Sequence, residues 1–144
     1  MDYAALAALL LGNMQSLFRA RPHKNMAESL HGEAFVLNYI ALQGAEVLPG
    51  DISQEMDVSS ARVAAALNSL EKKGLITRQI AQNDRRKILV GITPKGEELA
   101  QAQYQVAVDE TAKMLALLGY PDAKEYVRIT GKLANALSKD QNRL

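Results

Sequence analysis

The chain has no cysteine. That excludes disulfides, thiolate metal sites, iron–sulfur clusters and thiol-based redox sensing, and it fits a reducing, cytoplasmic setting. There is no tryptophan either, and aromatics make up only 5% of the residues. A core must then be built from Leu, Ala, Val and Ile. The apolar run Tyr3–Leu11 holds nine residues, against about 20 needed to span a bilayer as a helix. It follows Asp2 rather than a basic stretch, so it reads as a buried helix and not as a secretory signal. No membrane partner is expected. A Gly-rich phosphate loop is lacking, since Gly44, Gly50, Gly74 and Gly96 stand singly at expected helix ends. His23 and His31 are the only histidines, and no acidic pair stands near them at ligand or triad spacing. They read as surface residues. No nucleophile has a base at a recognisable spacing. Neither catalysis, nor a cofactor, nor a metal is expected.

What the chain does have is the balance of a globular domain, 48% apolar and 23% charged over 144 residues. A chain of this size buries a substantial core. The net charge of +1 conceals a strong segregation. Residues 32–59 carry five acidic groups and no basic one, whereas residues 60–96 carry eight basic and two acidic. A basic block inside a near-neutral chain points to a polyanion partner.

Periodicity predicts a mainly α chain with one small hairpin. A helix is expected from Asp2 to about Arg19, apolar on more than one side, interrupted by Arg21-Pro22-His23-Lys24. The next runs from Gly32 to Gln43, with Phe35, Val36, Tyr39 and Ile40 inward and Gly44 after its end. Val47 and Leu48 suit a very short strand. Pro49 opens a short helix to Met56. Ser59 caps another, about 60–73, whose inner stripe is Val63, Leu67 and Leu70. Two short helices joined by a tight turn outline a helix-turn-helix. Runs 75–81 and 87–93 alternate as strands around the polar turn Gln82–Arg86, which makes a wing. Thr93-Pro94 starts a long helix to about Leu118, closed by Gly119. Asp122 and Glu125 suggest a capping box for a last helix to about Ser138.

The stretch from Leu30 to Gly96 resembles the MarR family of bacterial winged helix-turn-helix transcription regulators. Residues 51–59 are similar to its scaffold segment. Val63, Leu67 and Leu70-Glu71-Lys72-Lys73-Gly74-Leu75-Ile76 are similar to its recognition helix and exit. Asp84-Arg85-Arg86, then Ile88, Val90, Ile92, Thr93-Pro94 and Gly96, resemble its wing signature. The resemblance implies a winged helix-turn-helix over 30–96, flanked by long dimerisation helices in 1–20 and 97–144. It implies double-stranded DNA as partner, the chain itself as homodimer, and a repressor that leaves a palindromic operator when a small aromatic or anionic effector binds. It implies that Arg86 enters a minor groove and that Asp84 holds it by a salt bridge.

The residues support that reading physically. A recognition helix reads base edges in the major groove mainly with its N-terminal residues. With Val63, Leu67 and Leu70 inward, Ala61, Ala65, Asn68, Ser69 and Lys72 face out, flanked by Ser60 and Arg62. Arg62 is the long donor suited to guanine. Ala61 and Ala65 suit thymine methyls, so half-sites rich in A·T are expected. The family often has Arg or another polar residue where Ala65 stands, which shifts readout onto the wing. There Arg85, Arg86 and Lys87, with Arg78 on the other strand, are placed for a narrow minor groove. Met14, Phe18, Phe35 and Tyr39 are candidates for the effector pocket. The alternative is a winged-helix protein-interaction module without specific DNA binding, a reading that the alanines at 61, 64, 65 and 66 favour.

Overall fold

A computed structural model describes residues 2–20 and 32–141. The chain divides into two compact units, Met1–Glu97 and Glu98–Leu144. Eight elements follow in order: α1 (Tyr3–Ala20), α2 (Glu33–Gln43), α3 (Pro49–Met56), α4 (Ser60–Lys72), β1 (Ile76–Ile80), β2 (Ile88–Ile92), α5 (Pro94–Ala116) and α6 (Tyr120–Gln141). His23, His31 and the interruption at 21–24 lie outside the described residues. Among those described, no helix is long and apolar enough to cross a membrane.

The core of the first unit is aliphatic. Val36, Leu37 and Ile40 of α2 meet Ile52 and Met56 of α3, Val63, Leu67 and Leu70 of α4, and Ile76 and Val90 of the hairpin, all buried. No polar side chain is buried among the described residues. The inward face of α2 differs from the expected one. Leu37 takes the place expected of Phe35 and Tyr39, which are only half-buried. Apolar residues surround α2 on nearly every side, so packing against α4 and β2, and not period, selects the buried face.

Local chemistry fixes the turn between α3 and α4. Asp57 adopts a left-handed conformation at φ 51°, and its N–H donates to Ser53 O. The Ser53 hydroxyl donates to Val58 O at 2.6 Å. Ser59 Oγ then accepts from the Arg62 amide and caps α4. The chain leaves α4 through Gly74, whose φ of 72° is open to glycine at little steric cost. Strands β1 and β2 pair antiparallel with Ile76 opposite Ile92 and Ile80 opposite Ile88. Val47 adds a bridge to Val90, the short strand expected there.

Two terminal features depart from expectation. The last helix starts at Tyr120, after Gly119 at φ 79°, with Ala123 N–H donating to Gly119 O. Asp122 therefore lies in the first turn, where its charge suits the helix dipole, and is no cap. Helix α1 buries none of its residues within the chain. Leu6, Leu9, Leu10, Leu11 and Leu17 are all more than half exposed.

Candidate nucleic-acid interface

Burying Val63, Leu67 and Leu70 turns the opposite side of α4 to solvent. Ser60, Ala61, Arg62, Ala64, Ala65, Asn68 and Lys72 are exposed there, as the sequence led us to expect. Ser69 is half-buried, and its hydroxyl donates to Glu33 Oε2 at 2.9 Å. The same carboxylate receives Lys73 Nζ at 2.7 Å. Glu33 thus ties the start of α2 to the end of α4 across 36 and 40 residues of sequence, a link with no local signal.

The wing is a two-stranded ribbon with a hydrogen-bonded tip. The Ala81 amide donates to Lys87 O, and the Lys87 amide to Asp84 O. Asp84 Oδ1 accepts from the Arg86 main-chain N–H at 3.0 Å. Among the described residues no ion pair joins Asp84 to the Arg86 guanidinium, unlike the salt bridge that the resemblance implies. The aspartate shapes the turn through the main chain, a common use of Asp at such a position. The guanidinium is left to solvent. Arg85, Arg86 and Lys87 are all exposed.

Arg78 is placed differently. Its Nε and Nη2 donate to Glu71 Oε2 at 3.2 Å and Oε1 at 2.9 Å. This fork holds the Glu71 carboxyl below its ordinary value of 4.5 and raises Arg78, chiefly through the side-chain hydrogen bonds. With a folded pKa below the unfolded one, the pair is intact above pH 4.5 and gives way as pH falls through the lowered value. Of the eight basic residues in 60–96, Arg78 and Lys73 are committed to carboxylates. Among the described residues Arg62, Lys72, Arg85, Arg86 and Lys87 make no ion pair. These five line the outward side of α4 and the wing tip.

The four effector candidates lie on two helices. Met14 and Phe18 stand on the exposed α1, whereas Phe35 and Tyr39 are half-buried on α2. The Tyr39 phenol is held above its ordinary 10.0 by burial first, then by the charges of Glu55 and Asp51. In the second unit, an apolar groove of about 770 Å³ is lined by Ala112, Leu115, Ala116, Tyr120, Ala123, Lys124 and Val127. No group of acidic residues and histidines among those described could hold a metal.

Two helices across a tight turn, a capped outward-facing second helix and a cationic hairpin after it define a winged helix-turn-helix protein. Residues 30–87 match the MarR family model. The HTH-type transcriptional regulator YwhA of Bacillus subtilis, itself uncharacterised, is 29% identical over 100 residues, which is 69% of this chain and 71% of YwhA. The crystal structure of Bacillus subtilis YusO is similar over 94% of this chain and 99% of its own, at 25% identity and a TM-score of 0.70. Streptococcus pneumoniae FabT, solved in complex with DNA, matches over 99% of both chains at 23% identity and a TM-score of 0.64, a likeness of fold. Over residues 30–87 the chain is thus similar to the MarR family of transcription regulators, and its fold is a winged helix-turn-helix. Two curated relatives are named as HTH-type transcriptional regulators.

Proposed function

We propose that the protein is a cytoplasmic homodimeric repressor that binds a near-palindromic operator in double-stranded DNA and is released by a small ligand. The observation that carries this reading is the set of five unpaired cations on α4 and the wing tip. Helix α4 enters the major groove with Ser60, Ala61, Arg62, Ala65 and Asn68, and Lys72 reaches a phosphate. The wing lays Arg85, Arg86 and Lys87 along the adjacent minor groove, where A·T-rich sequence concentrates negative potential.

Residues 1–20 and 97–144 form the dimer part. Exposed apolar side chains on α1, with Met114, Leu118, Leu133 and Leu137, support it. So much apolar surface is uncommon on a monomer. An obligate interface of this kind buries more than about 2,000 Å² in total.

The deciding experiment is selection of bound duplexes from a random pool. The expected product is a two-fold symmetric site with A·T-rich halves, centred about one helical turn apart. Sites without two-fold symmetry would contradict the reading. No selection at all would favour the protein-interaction module, which the exposed alanines 61, 64 and 65 support.

Substitutions separate groove reading from charge. Arg86→Ala is expected to weaken operator binding by about 1–3 kcal/mol, most where the minor groove is narrow. Lys72→Ala is expected to weaken all sequences alike and to lower the salt slope by about one unit. Titrations at several salt concentrations on operator and scrambled DNA check both.

The effector site is assigned to Met14, Phe18, Phe35 and Tyr39. A ligand there needs only about 1.4 kcal/mol of preference for the non-binding shape to weaken DNA binding tenfold. Because Glu55 and Asp51 act on Tyr39, neutral aromatics should outrank carboxylates such as salicylate. A panel of both is titrated against the protein–operator complex, with Phe18→Ala and Tyr39→Ala alongside. Variants that respond as wild type does would remove the assignment.

A further inference from the structure

The basic block 60–96 keeps only two acidic residues, Glu71 and Asp84. Each is unfavourable beside a polyanion. Glu71 carries a second penalty, because it lies in the last turn of α4, where the helix dipole disfavours negative charge. Both acids are engaged in holding the shape of the unit. Asp84 shapes the wing tip through the Arg86 amide, and Glu71 receives the Arg78 fork.

Arg78 sits at an unusual place for a cation. In the alternation Ile76-Arg78-Ile80 it occupies the middle of one hairpin face, and its ladder partner is Val90, which is fully buried. Ile76 before it is buried, whereas Ile80 after it is 65% exposed. The Arg78 side chain retains only 27% of its exposure. Arg78 therefore stands where β1 passes from the core toward the free tip, and there it grips the recognition helix. A guanidinium forked onto a carboxylate fixes direction as well as distance, because both planar groups must align.

We infer that Glu71 and Arg78 form a brace that sets the angle between the wing and α4, so that Arg78 is a positioning residue and not a phosphate contact. This rests on the DNA-binding reading of the same surface. The brace holds the wing-tip cations in register with the minor groove while α4 lies in the major groove. Without it, the tip swings on its strand ladder and the two contacts no longer meet adjacent grooves together. The brace also accounts for an acid inside a DNA-facing block, since its effect on geometry outweighs its repulsion.

The two roles differ in sign. If Arg78 touched phosphate, removing Glu71 would free it and remove a repulsive charge, and DNA would bind more tightly. The brace requires the opposite. Glu71→Ala is expected to weaken operator binding about tenfold, within the coupling range of contacting charged residues. Its salt slope should be unchanged. Arg78→Ala should match it, and the double variant should be no worse than either single one. Arg78→Lys should fail to restore affinity, because an ammonium cannot make the fork. A phosphate contact would survive that change. Far-UV spectra and thermal unfolding should stay near wild type, since an exposed ion pair adds little to stability.

A second readout needs no DNA. The chain has no native cysteine, so spin labels placed by Ala64→Cys and Asn83→Cys are site-specific. Labelled chains are diluted with unlabelled ones to isolate the intrachain distance. Glu71→Ala should broaden that distribution in the free protein. Tighter DNA binding by Glu71→Ala, rescue by Arg78→Lys, or an unchanged distribution would each overturn the brace. If the wild type binds no DNA, the functional reading falls, and the distance measurement still decides the brace.

Discussion

Gly96→Ala is expected to destabilise the protein by about 3 kcal/mol, at the upper end of what overpacking costs. Gly96 lies in the first turn of α5, held between the cap and the core. The Thr93 hydroxyl donates to Gly74 O at 2.7 Å and accepts from the Gly96 amide at 3.0 Å. A Cβ on residue 96 would collide with Leu75 O and fall 2.8 Å from Ile92 Cγ1. The first obstacle is main chain and cannot rotate away. Leu75 O already accepts the Thr93 amide at 3.1 Å, so moving it would loosen the junction of α4, β2 and α5 together. Thermal unfolding should fall by roughly 10 °C for a domain of this size. Gly50→Ala is the control. Nothing lies within 4 Å of a Cβ there, and a gain of about 0.4–1 kcal/mol is expected from the stiffer unfolded chain. Equal behaviour of the two variants would mean that the close approach at residue 96 is not structural.

The other large effect concerns assembly. If the proposed dimer forms through α1, Leu10→Asp is expected to turn it into a monomer and to weaken operator binding by about 10²–10⁴, the loss of linked half-site binding. Leu10 is 58% exposed within the chain. A carboxylate there disturbs nothing in the winged-helix core, yet it would be buried and unpaired at the proposed apolar interface, which is costly. Light scattering at micromolar concentration reads the mass, and a duplex titration reads the affinity. A dimer mass for Leu10→Asp would place the interface elsewhere. Full affinity from a monomer would mean that a single half-site suffices.

Most of the winged helix-turn-helix was legible because its signals are local. Ser59, Pro49, Thr93-Pro94 and Gly74 are caps and breakers whose effect depends on near neighbours. The structure has α3, α4, β1 and β2 within a residue or so of the expected bounds. The inward face of α4 followed from period, whereas of the alternating Ile88, Val90 and Ile92 only Val90 is buried. The inner face of α2 did not, because a helix apolar nearly all round gives period nothing to choose. The start of α6 was misread for a related reason. Asp122 and Glu125 have the spacing of a capping box, but the left-handed Gly119 had already started the helix.

The outward residues of α4 were legible as a face, and their individual commitments were not. Ser69 and Arg78 read as donors toward a partner, and the fold engages both inside the unit. Their acceptors Glu33 and Glu71 lie 36 and 7 residues away. The second pair was within reach of the sequence, since an acid in the last turn of a helix inside a basic block calls for a reason. The first pair depends on how α2 packs on α4, which no local pattern encodes.

The scarcity of aromatics has an optical consequence. No aromatic side chain is among the buried core residues. Four of the five tyrosines, Tyr3, Tyr104, Tyr120 and Tyr126, lie on α1, α5 or α6 and are between 47% and 75% exposed in the chain. With no tryptophan, tyrosine carries the emission of the whole chain. Four of the five emitters thus report on the terminal helices, and the half-buried Tyr39 alone reports on the winged-helix core. Far-UV ellipticity, by contrast, follows the helices themselves. Recorded together across a dilution series, the two signals would separate dissociation of the proposed dimer from unfolding without any added dye.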